Sequence, residues 1–271
     1  MKTESRNKIL LLEKEDGVAT ITLNRPKRMN ALNPRLITQI NKALESSAKD
    51  RDIRALIVTG NGRAFCSGGD VKGHPAFTTP DPMVRREFIR NSQEIILKIH
   101  RMKKPVIAAI NGFAGGAGLD LALACDMRIG CEETRFAELF IKVGLMPDMG
   151  STYFLSRLIG MAKALEMLLT GDTIDAAEAL RLGLINRIVP KADLLKEAKS
   201  LANRLGNGPT LAYGFVKSAV YKNWRISLED ALENEAYGQS LLIGTEDVRE
   251  AVKAFSEKRV PVFSKEKTRM K

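Results

Sequence analysis

The sequence predicts an α/β fold that is followed by a helical C-terminal region, and three observations support this. Apolar strand-like runs alternate with segments of helical spacing over about the first 150 residues. Beyond that point nearly every segment has helical spacing. The chain has 271 residues, of which 44% are hydrophobic and 28% charged, so it can form a full globular core.

The N-terminal half begins with a predicted β-hairpin over residues 9–24. Its two strand-like runs are separated by Glu15, Asp16 and Gly17, and Asp-Gly between apolar runs is a strong hairpin signal. Helices and strands then alternate. The predicted helices are 34–48, 83–102 and a segment that ends near Cys125, and the predicted strands are 53–59, 105–110 and 127–130.

The C-terminal part contains one more predicted strand, at 184–189, among helices. The predicted helices are 191–206, 209–222, 228–242 and 246–257. The pattern therefore divides the chain into an α/β core, residues 1–195, and a helical extension, residues 196–271.

Charge and cysteine content narrow the classes of function only partly. There are 43 Lys and Arg against 32 Asp and Glu, and the net charge of +11 suits a polyanionic partner such as a nucleic acid, an anionic membrane or a phosphate-bearing ligand. The three cysteines, Cys66, Cys125 and Cys131, form no CxxC pair, so we expect reduced thiols and a cytoplasmic protein. The polar first residues and the short apolar runs predict neither a secretory signal nor a membrane span.

Two glycine-rich turns carry the chemistry that the sequence suggests. Gly68 and Gly69 follow one buried strand, and the run from Gly115 to Gly118 follows another. Glycine lets an external group approach the backbone closely, and a helix start leaves unpaired N–H groups at the positive end of the helix dipole. Two converging amides of this kind can stabilise a carbonyl oxygen as negative charge develops on it. Tight packing is the structural alternative.

Other chemistries lack their motifs. Residues 115–120 read GGAGLD, which is not GxGxxG, and the chain contains no GxxxxGK[ST], so a nucleotide-binding motif is absent. The two histidines, His74 and His100, have no neighbours that suggest a catalytic triad, and Ser67 does not lie in GxSxG. No His or Cys cluster suggests a metal, so neither a metal nor a redox cofactor is expected.

Four separate segments follow recognisable patterns. Residues 24–32 read NRPKRMNAL, 64–71 read AFCSGGDV, 104–112 read KPVIAAING and 144–148 read GLMPD. They resemble motifs of the crotonase (enoyl-CoA hydratase/isomerase) family, among them NRPxxxNAL, AFxxGxDL and KPVIAAVNG. The resemblance extends over almost the whole chain and implies a crotonase-like ββα spiral core.

The resemblance also implies a binding site for an acyl-CoA, whose coenzyme A belongs to the substrate. The thioester oxygen would lie between the N–H groups of Gly69 and Ala117, although many members have glycine where Ala117 stands. The remaining positions carried over are assigned to binding of the substrate and its coenzyme A moiety. They are Lys27, Arg28, Met29, Ser67, Gly68, Asp70, Val71 and Gly116.

The carboxyl groups match the family only in part. Asp120 stands where hydratases carry their first glutamate, whereas Phe140 replaces their second. Glu138, two residues earlier, could point elsewhere and is not expected to stand in for that glutamate. Asp148 stands where some isomerases of the family, acting on dienoyl-CoA or on epoxyphenylacetyl-CoA, place their acid/base. The structural alternatives are a helix-dipole partner for Asp120 and a turn residue for Asp148.

Two reactions and one non-catalytic role follow from the resemblance. With water held between Asp120 and Asp148, the enzyme would hydrate a 2-enoyl-CoA; without it, the enzyme would shift the double bond. The alternative from another class of protein is a non-catalytic RNA-binding homologue. For the enzyme, neither a nucleic acid nor a membrane is expected as a partner. The resemblance further implies a homotrimer or hexamer with the last helices at the interface and Phe263 near a coenzyme A site.

Overall fold

A computed structural model of the chain describes residues 8–72 and 75–263. His74 and the basic tail from Lys265 to Lys271 lie outside the described residues. Within the described part, no helix combines the length and the apolar character that a membrane crossing needs.

The main sheet has six strands in the order β1-β2-β3-β5-β7-β10. Only the pairing of β1 with β2 is antiparallel, and the other neighbours are parallel. The strands are β1 (Leu10–Glu15), β2 (Val18–Leu23), β3 (Ala55–Gly60), β5 (Val106–Ile110), β7 (Met127–Cys131) and β10 (Arg187–Val189).

The predicted hairpin is confirmed, and its turn explains why β1 and β2 pair in register. Asp16 and Gly17 both have positive φ, 49° and 78°. Two left-handed residues in a two-residue loop match the twist of antiparallel strands. Glu15 therefore pairs with Val18, and the register continues to Leu10 and Leu23.

A second sheet has four strands of three residues each, in the order β4-β6-β8-β9. They are β4 (Ala64–Cys66), β6 (Phe113–Gly115), β8 (Arg135–Ala137) and β9 (Thr173–Asp175). The sequence pattern did not predict this sheet, and the expectation of a single strand beyond residue 150 is wrong because β9 and β10 both lie there. Three residues are too few to show a period of two.

The helices follow the predicted order, with short additional ones. They are α1 (Pro34–Lys49), α2 (Pro82–Arg101), α3 (Ala117–Ala124), α4 (Ser151–Leu158), α5 (Met161–Thr170), α6 (Ala176–Arg181), α7 (Leu194–Gly206), α8 (Thr210–Asn223), α9 (Leu228–Ile243) and α10 (Glu246–Ser256). Capping side chains fix several starts. Asn33 accepts a hydrogen bond from Leu36 N–H before α1, and Asp81 accepts one from Met83 N–H before α2.

The core lies on both faces of the main sheet. One cluster joins β2, β3 and β5 to α1, α2 and α3, and Ile40, Ile99 and Leu121 are among its fully buried members. The other cluster places Ala198 and Leu201 of α7 against the opposite face. The division of the chain at residue 195 falls inside α7, which itself covers the sheet.

Candidate functional site

The two glycine-rich turns touch each other because β4 and β6 are parallel neighbours in the second sheet. A Cβ added to Gly68 would lie 2.9 Å from the carbonyl oxygen of Gly115 and 3.6 Å from the backbone nitrogen of Ala117. Gly68 also has a φ of 105°, a conformation that side chains disfavour. The close approach therefore depends on glycine at this position.

Two backbone N–H groups are free at this contact. In the bridge between Leu32 and Gly69, Leu32 N–H donates to Gly68 and Asp70 N–H donates to Leu32, so Gly69 N–H has no partner in residues 8–72 and 75–263. Ala117 is the first residue of α3, where N–H groups have no intrahelical acceptor. A Cβ on Gly69 would meet nothing within 4 Å, so open space lies beside this residue. This geometry can accommodate a carbonyl oxygen.

Phe140 forms an apolar wall beside this turn. A Cβ added to Gly116 would lie 3.5 Å from the Phe140 ring. Phe140 belongs to a 3-10 helix, Leu139–Val143, and packs against the main core cluster. The position where hydratases have their second glutamate thus carries a ring next to the start of α3, and no carboxyl.

Asp120 lies in the first turn of α3, and its side chain is completely buried. Burial, followed by the negative charge of Asp148, raises the pKa of its carboxyl to about 7, while the Ser151 hydroxyl and nearby backbone N–H groups lower it. These polar contacts fall short of good hydrogen-bond geometry, since neither carboxyl oxygen has a hydrogen-bond partner among the described residues. Burial and the neighbouring Asp148 therefore favour the protonated form of Asp120 more strongly than in an exposed aspartate.

Asp148 lies before α4, and it is more accessible than Asp120. Its backbone oxygen accepts a hydrogen bond of 2.7 Å from the Gln93 side chain, which ties this segment to α2. Burial raises the pKa of the Asp148 carboxyl. Because its charge acts on Asp120, the two aspartates form one electrostatic unit.

Glu138 joins this unit, because the charges of both aspartates act on its carboxyl. It follows β8 and is completely buried. Burial, then the charges of Asp120 and Asp148, raise the pKa of its carboxyl to about 10, and Ser151 lowers it. The position of the family's second glutamate falls on Phe140, and Glu138 is the acidic residue nearest to it in the chain.

The residues that the resemblance assigns to binding of coenzyme A lie along two connected segments of the chain. Lys27 and Arg28 are exposed in a 3-10 helix, Pro26–Arg28, and Met29 follows in the left-handed conformation. Ser67 N–H donates a hydrogen bond of 3.0 Å to Met29 O, so this segment adjoins the Gly68 turn. Val71 is exposed further along.

An ion pair between Arg25 and Asp70 strengthens this connection. Arg25 Nη2 lies 2.8 Å from Asp70 Oδ2, and both side chains are mostly buried. Arg25 also donates to the backbone oxygen of Ala31. The sequence analysis did not single out Arg25, whose signal is its place in the segment NRPKRMNAL.

His100 takes no part in the site. Its ring stacks on Tyr221 with centroids 4.0 Å apart, and burial lowers its pKa. Within residues 8–72 and 75–263, no group of three or more His, Cys, Asp or Glu side chains is arranged to hold a metal ion.

A cavity of about 360 Å³ lies elsewhere, between α4 and α8. Tyr153, Tyr221 and Trp224 are among its lining residues, and none of the predicted site residues lines it. It is therefore separate from the contact between the glycine turns.

The two glycine turns touch and carry a pair of free amides, which can hold a carbonyl group. The buried carboxyls can move protons. Together with the two sheets, these features define a class of protein that acts on a carbonyl compound by proton transfer. The model of the enoyl-CoA hydratase/isomerase family matches residues 13–266. The chain therefore belongs to this family, and the expected crotonase-like fold is confirmed.

Known relatives that differ from one another in activity are similar to this chain over nearly their full length. Crotonyl-CoA hydratase of Syntrophomonas wolfei is 38% identical over 255 residues, which cover 94% of this chain and 97% of the relative. The 1,2-epoxyphenylacetyl-CoA isomerase of Escherichia coli is 36% identical, with coverage of 94% and 98%. The crystal structure of an enoyl-CoA hydratase from Bacillus anthracis has 31% identity and a TM-score of 0.90, with coverage of 96% and 100%.

Proposed function

We propose that this protein is an acyl-CoA enzyme that adds water to the C=C bond of a 2-enoyl-CoA through a stabilised enolate. The observation that carries the proposal is the close contact between the glycine turns that hold Gly69 and Ala117, together with the burial of Asp120 in the first turn of the helix that begins at Ala117. Hydratases among the relatives support the choice of reaction.

The thioester oxygen lies between Gly69 N–H and Ala117 N–H in this mechanism. Each donor contributes roughly 10²–10³ in rate if it acts as an oxyanion-hole donor. The developing enolate then accepts a proton at C2. The positive end of the α3 dipole supports the negative charge on the oxygen.

Asp148 and Asp120 serve as the acids and bases. Asp148 is the more accessible carboxyl, so it faces the reacting carbons, and Asp120 lies behind it. Water held at the two carboxyls gives hydration, in which one group activates water and another delivers a proton. Raised pKa values suit both roles, because a proton shuttle works best near the operating pH.

The coenzyme A moiety extends from the glycine turns along the two connected segments. We assign its binding to Lys27, Arg28, Met29, Ser67, Gly68, Asp70, Val71 and Gly116. Two exposed cations suit the phosphates of coenzyme A. Coenzyme A belongs to the substrate, and the mechanism uses no further cofactor or metal.

Isomerisation of the double bond is the second candidate. Phe140 favours it, because an apolar ring stands where a two-glutamate hydratase has its second carboxyl. A related isomerase at 36% identity supports it as well. The RNA-binding alternative is disfavoured, since a purely scaffolding role gives no reason to bury Asp120 and Glu138 without partners.

Product analysis separates these candidates. The enzyme is incubated with crotonyl-CoA, a 3-enoyl-CoA, a 2,4-dienoyl-CoA and a 3,5-dienoyl-CoA, and products are identified by mass spectrometry. Gain of one water on crotonyl-CoA supports hydration, and a shifted double bond supports isomerisation. No conversion of any substrate, together with a salt-dependent shift of RNA, would favour the non-catalytic role.

For the assembly, we propose a cytoplasmic homotrimer or hexamer in which residues 196–271 form the oligomerisation region. Val216 and Val220 of α8, and Trp224 directly after it, are more than half exposed in the single chain. Exposed apolar surface of this extent is typical of an interface. We place Phe263 near a coenzyme A site. Light scattering at micromolar concentration should give a trimer or hexamer, and a monomer would reject the assembly.

A further inference from the structure

The buried Glu138 is fixed beside the turn that begins α3. Its neighbour Ala137 ends β8 and accepts a hydrogen bond of 2.9 Å from Gly116 N–H. Gly116 is the N-cap of α3 and precedes the donor Ala117. The backbone therefore holds Glu138 close to the site by a contact that does not depend on its side chain.

The Glu138 carboxyl has no conventional partner. Glu138 and Asp120 are both 0% exposed. All four of their carboxyl oxygens, and the Ser151 hydroxyl beside them, lack a hydrogen-bond partner within the described residues. A buried carboxylate without a partner is costly, so the arrangement favours retention of protons in this group.

Every charge that acts on Glu138 is negative. Asp120 approaches from α3 and Asp148 from the segment before α4, and Ser151 at the start of α4 contributes a polar hydroxyl. No lysine, arginine or histidine of the described residues acts appreciably on either Glu138 or Asp120. Only protons can therefore relieve the repulsion within this part of the protein.

We propose that Glu138 is a positioning residue for the proton chemistry of this site. In this proposal Glu138 retains a proton near Asp120, with the Ser151 hydroxyl between the two carboxyls. The inference rests on the proposed function, because it assumes that Asp120 takes part in proton transfer. At neutral pH Glu138 is a carboxylic acid, since its pKa is raised to about 10 by burial and by the two aspartates. Its O–H can turn towards the Ser151 hydroxyl, which acts on both carboxyls and can in turn donate to ionised Asp120. No bond to carbon forms or breaks.

Neutral Glu138 also explains how three carboxyls coexist. With a proton on Glu138, only Asp120 and Asp148 compete for negative charge. Carboxyls whose environments separate their pKa values take different roles, one retaining a proton while another acts as base. Glu138 thus serves the reaction from a position that the substrate does not reach.

The direct test detects the proton on Glu138 without any substrate. The protein is prepared with ¹³C-carboxyl glutamate, and its infrared spectrum is recorded near pH 7. We expect the C=O stretch of a protonated, buried glutamic acid in the wild type, absent in Glu138→Gln and retained in Glu132→Gln. Glu132 is the matched control because it is exposed on the neighbouring turn after β7.

Absence of this band in the wild type overturns the proposal, and so does its persistence in Glu138→Gln. The wild-type spectrum can overturn the proposal even if the Glu138→Gln variant does not fold. Because no substrate is used, the band tests Glu138 independently of the proposed function: failure to convert any acyl-CoA would remove the reaction and leave the band.

The pH profile gives a second readout on the active enzyme. Gln is a weaker donor to the Ser151 hydroxyl than a carboxylic acid, so ionised Asp120 is less stabilised and the acid limb of kcat/KM in Glu138→Gln should move upward by roughly half to one pH unit. The Glu132→Gln profile should match the wild type. An unshifted limb in folded Glu138→Gln contradicts a positioning role, even if kcat falls.

Discussion

Gly68 passes so close to Gly115 that a Cβ on Gly68 would lie only 2.9 Å from the Gly115 carbonyl oxygen. This contact joins the turn after β4 to the start of α3, since the same Cβ would lie 3.6 Å from the backbone nitrogen of Ala117. The relationship explains why glycine stands at position 68 and makes this turn sensitive to a single methyl group.

Gly68→Ala should therefore damage both fold and activity. The methyl group meets backbone and must also adopt a φ of 105°, so we expect a loss of about 1–3 kcal/mol in the free energy of unfolding. Gly69→Ala is the matched control, because its Cβ meets nothing within 4 Å and its N–H is kept. Urea unfolding compares the two. Equal stability of the two variants would contradict the close packing of the turns.

Ala117→Pro tests the second amide donor. Proline at the first position of a helix is well tolerated but removes the N–H, so α3 should form while turnover falls by about 10²–10³. Ala117→Gly keeps the N–H and should retain activity. Circular dichroism establishes folding and a steady-state assay gives kcat. A folded and fully active proline variant would remove Ala117 from the site.

Asp120 should make the protein less stable as the pH rises. Its pKa is about 7 in the folded state against 3.8 as the ordinary value, so between these pH values the folded state holds a proton that the unfolded state has released. Stability therefore falls with rising pH, by at most about 4 kcal/mol. Asp120→Asn should reduce this slope when urea unfolding is measured at about pH 4 and about pH 7. Parallel pH dependences for variant and wild type would show that Asp120 is not the source.

The main sheet was predictable from sequence because all its strands except β10 have five or six residues and the helices that cover it have clear periodicity. Asp16 and Gly17, with their positive φ values, carried enough turn chemistry to predict the first hairpin correctly. The three-residue strands of the second sheet were not predictable, since their pairing depends on contacts between distant segments.

The candidate site was also predictable from the sequence only in part. The glycine turns and the two aspartates stood in recognisable segments, and the structure brings them together. Glu138 was undervalued because its burial beside Asp120 follows from the pairing of β8 with β6, which the sequence does not show. The Arg25–Asp70 ion pair joins residues 45 positions apart and was missed for the same reason.

The two reactions differ in how they use Asp120. A hydratase that needs both carboxyls should lose most activity in Asp120→Asn and in Asp148→Asn, with a double variant little worse than either, because groups acting as a unit are non-additive. A one-base isomerase should tolerate Asp120→Asn better. Solvent deuterium provides a check, since hydration must place solvent hydrogen at C2. A strongly additive double variant would contradict a joint role.

The kcat of Asp148→Asn, measured on whichever acyl-CoA the wild type converts, tests the central claim most directly. Asp148 is the accessible carboxyl in either reaction, so we expect kcat to fall by about 10²–10⁴, the usual contribution of a general acid or base. Asp172→Asn is the control, because the Asp172 side chain is 73% exposed and lies only at the edge of a 3.9 Å ion pair with Lys142. A folded Asp148→Asn with kcat near that of the wild type would contradict the proposed mechanism.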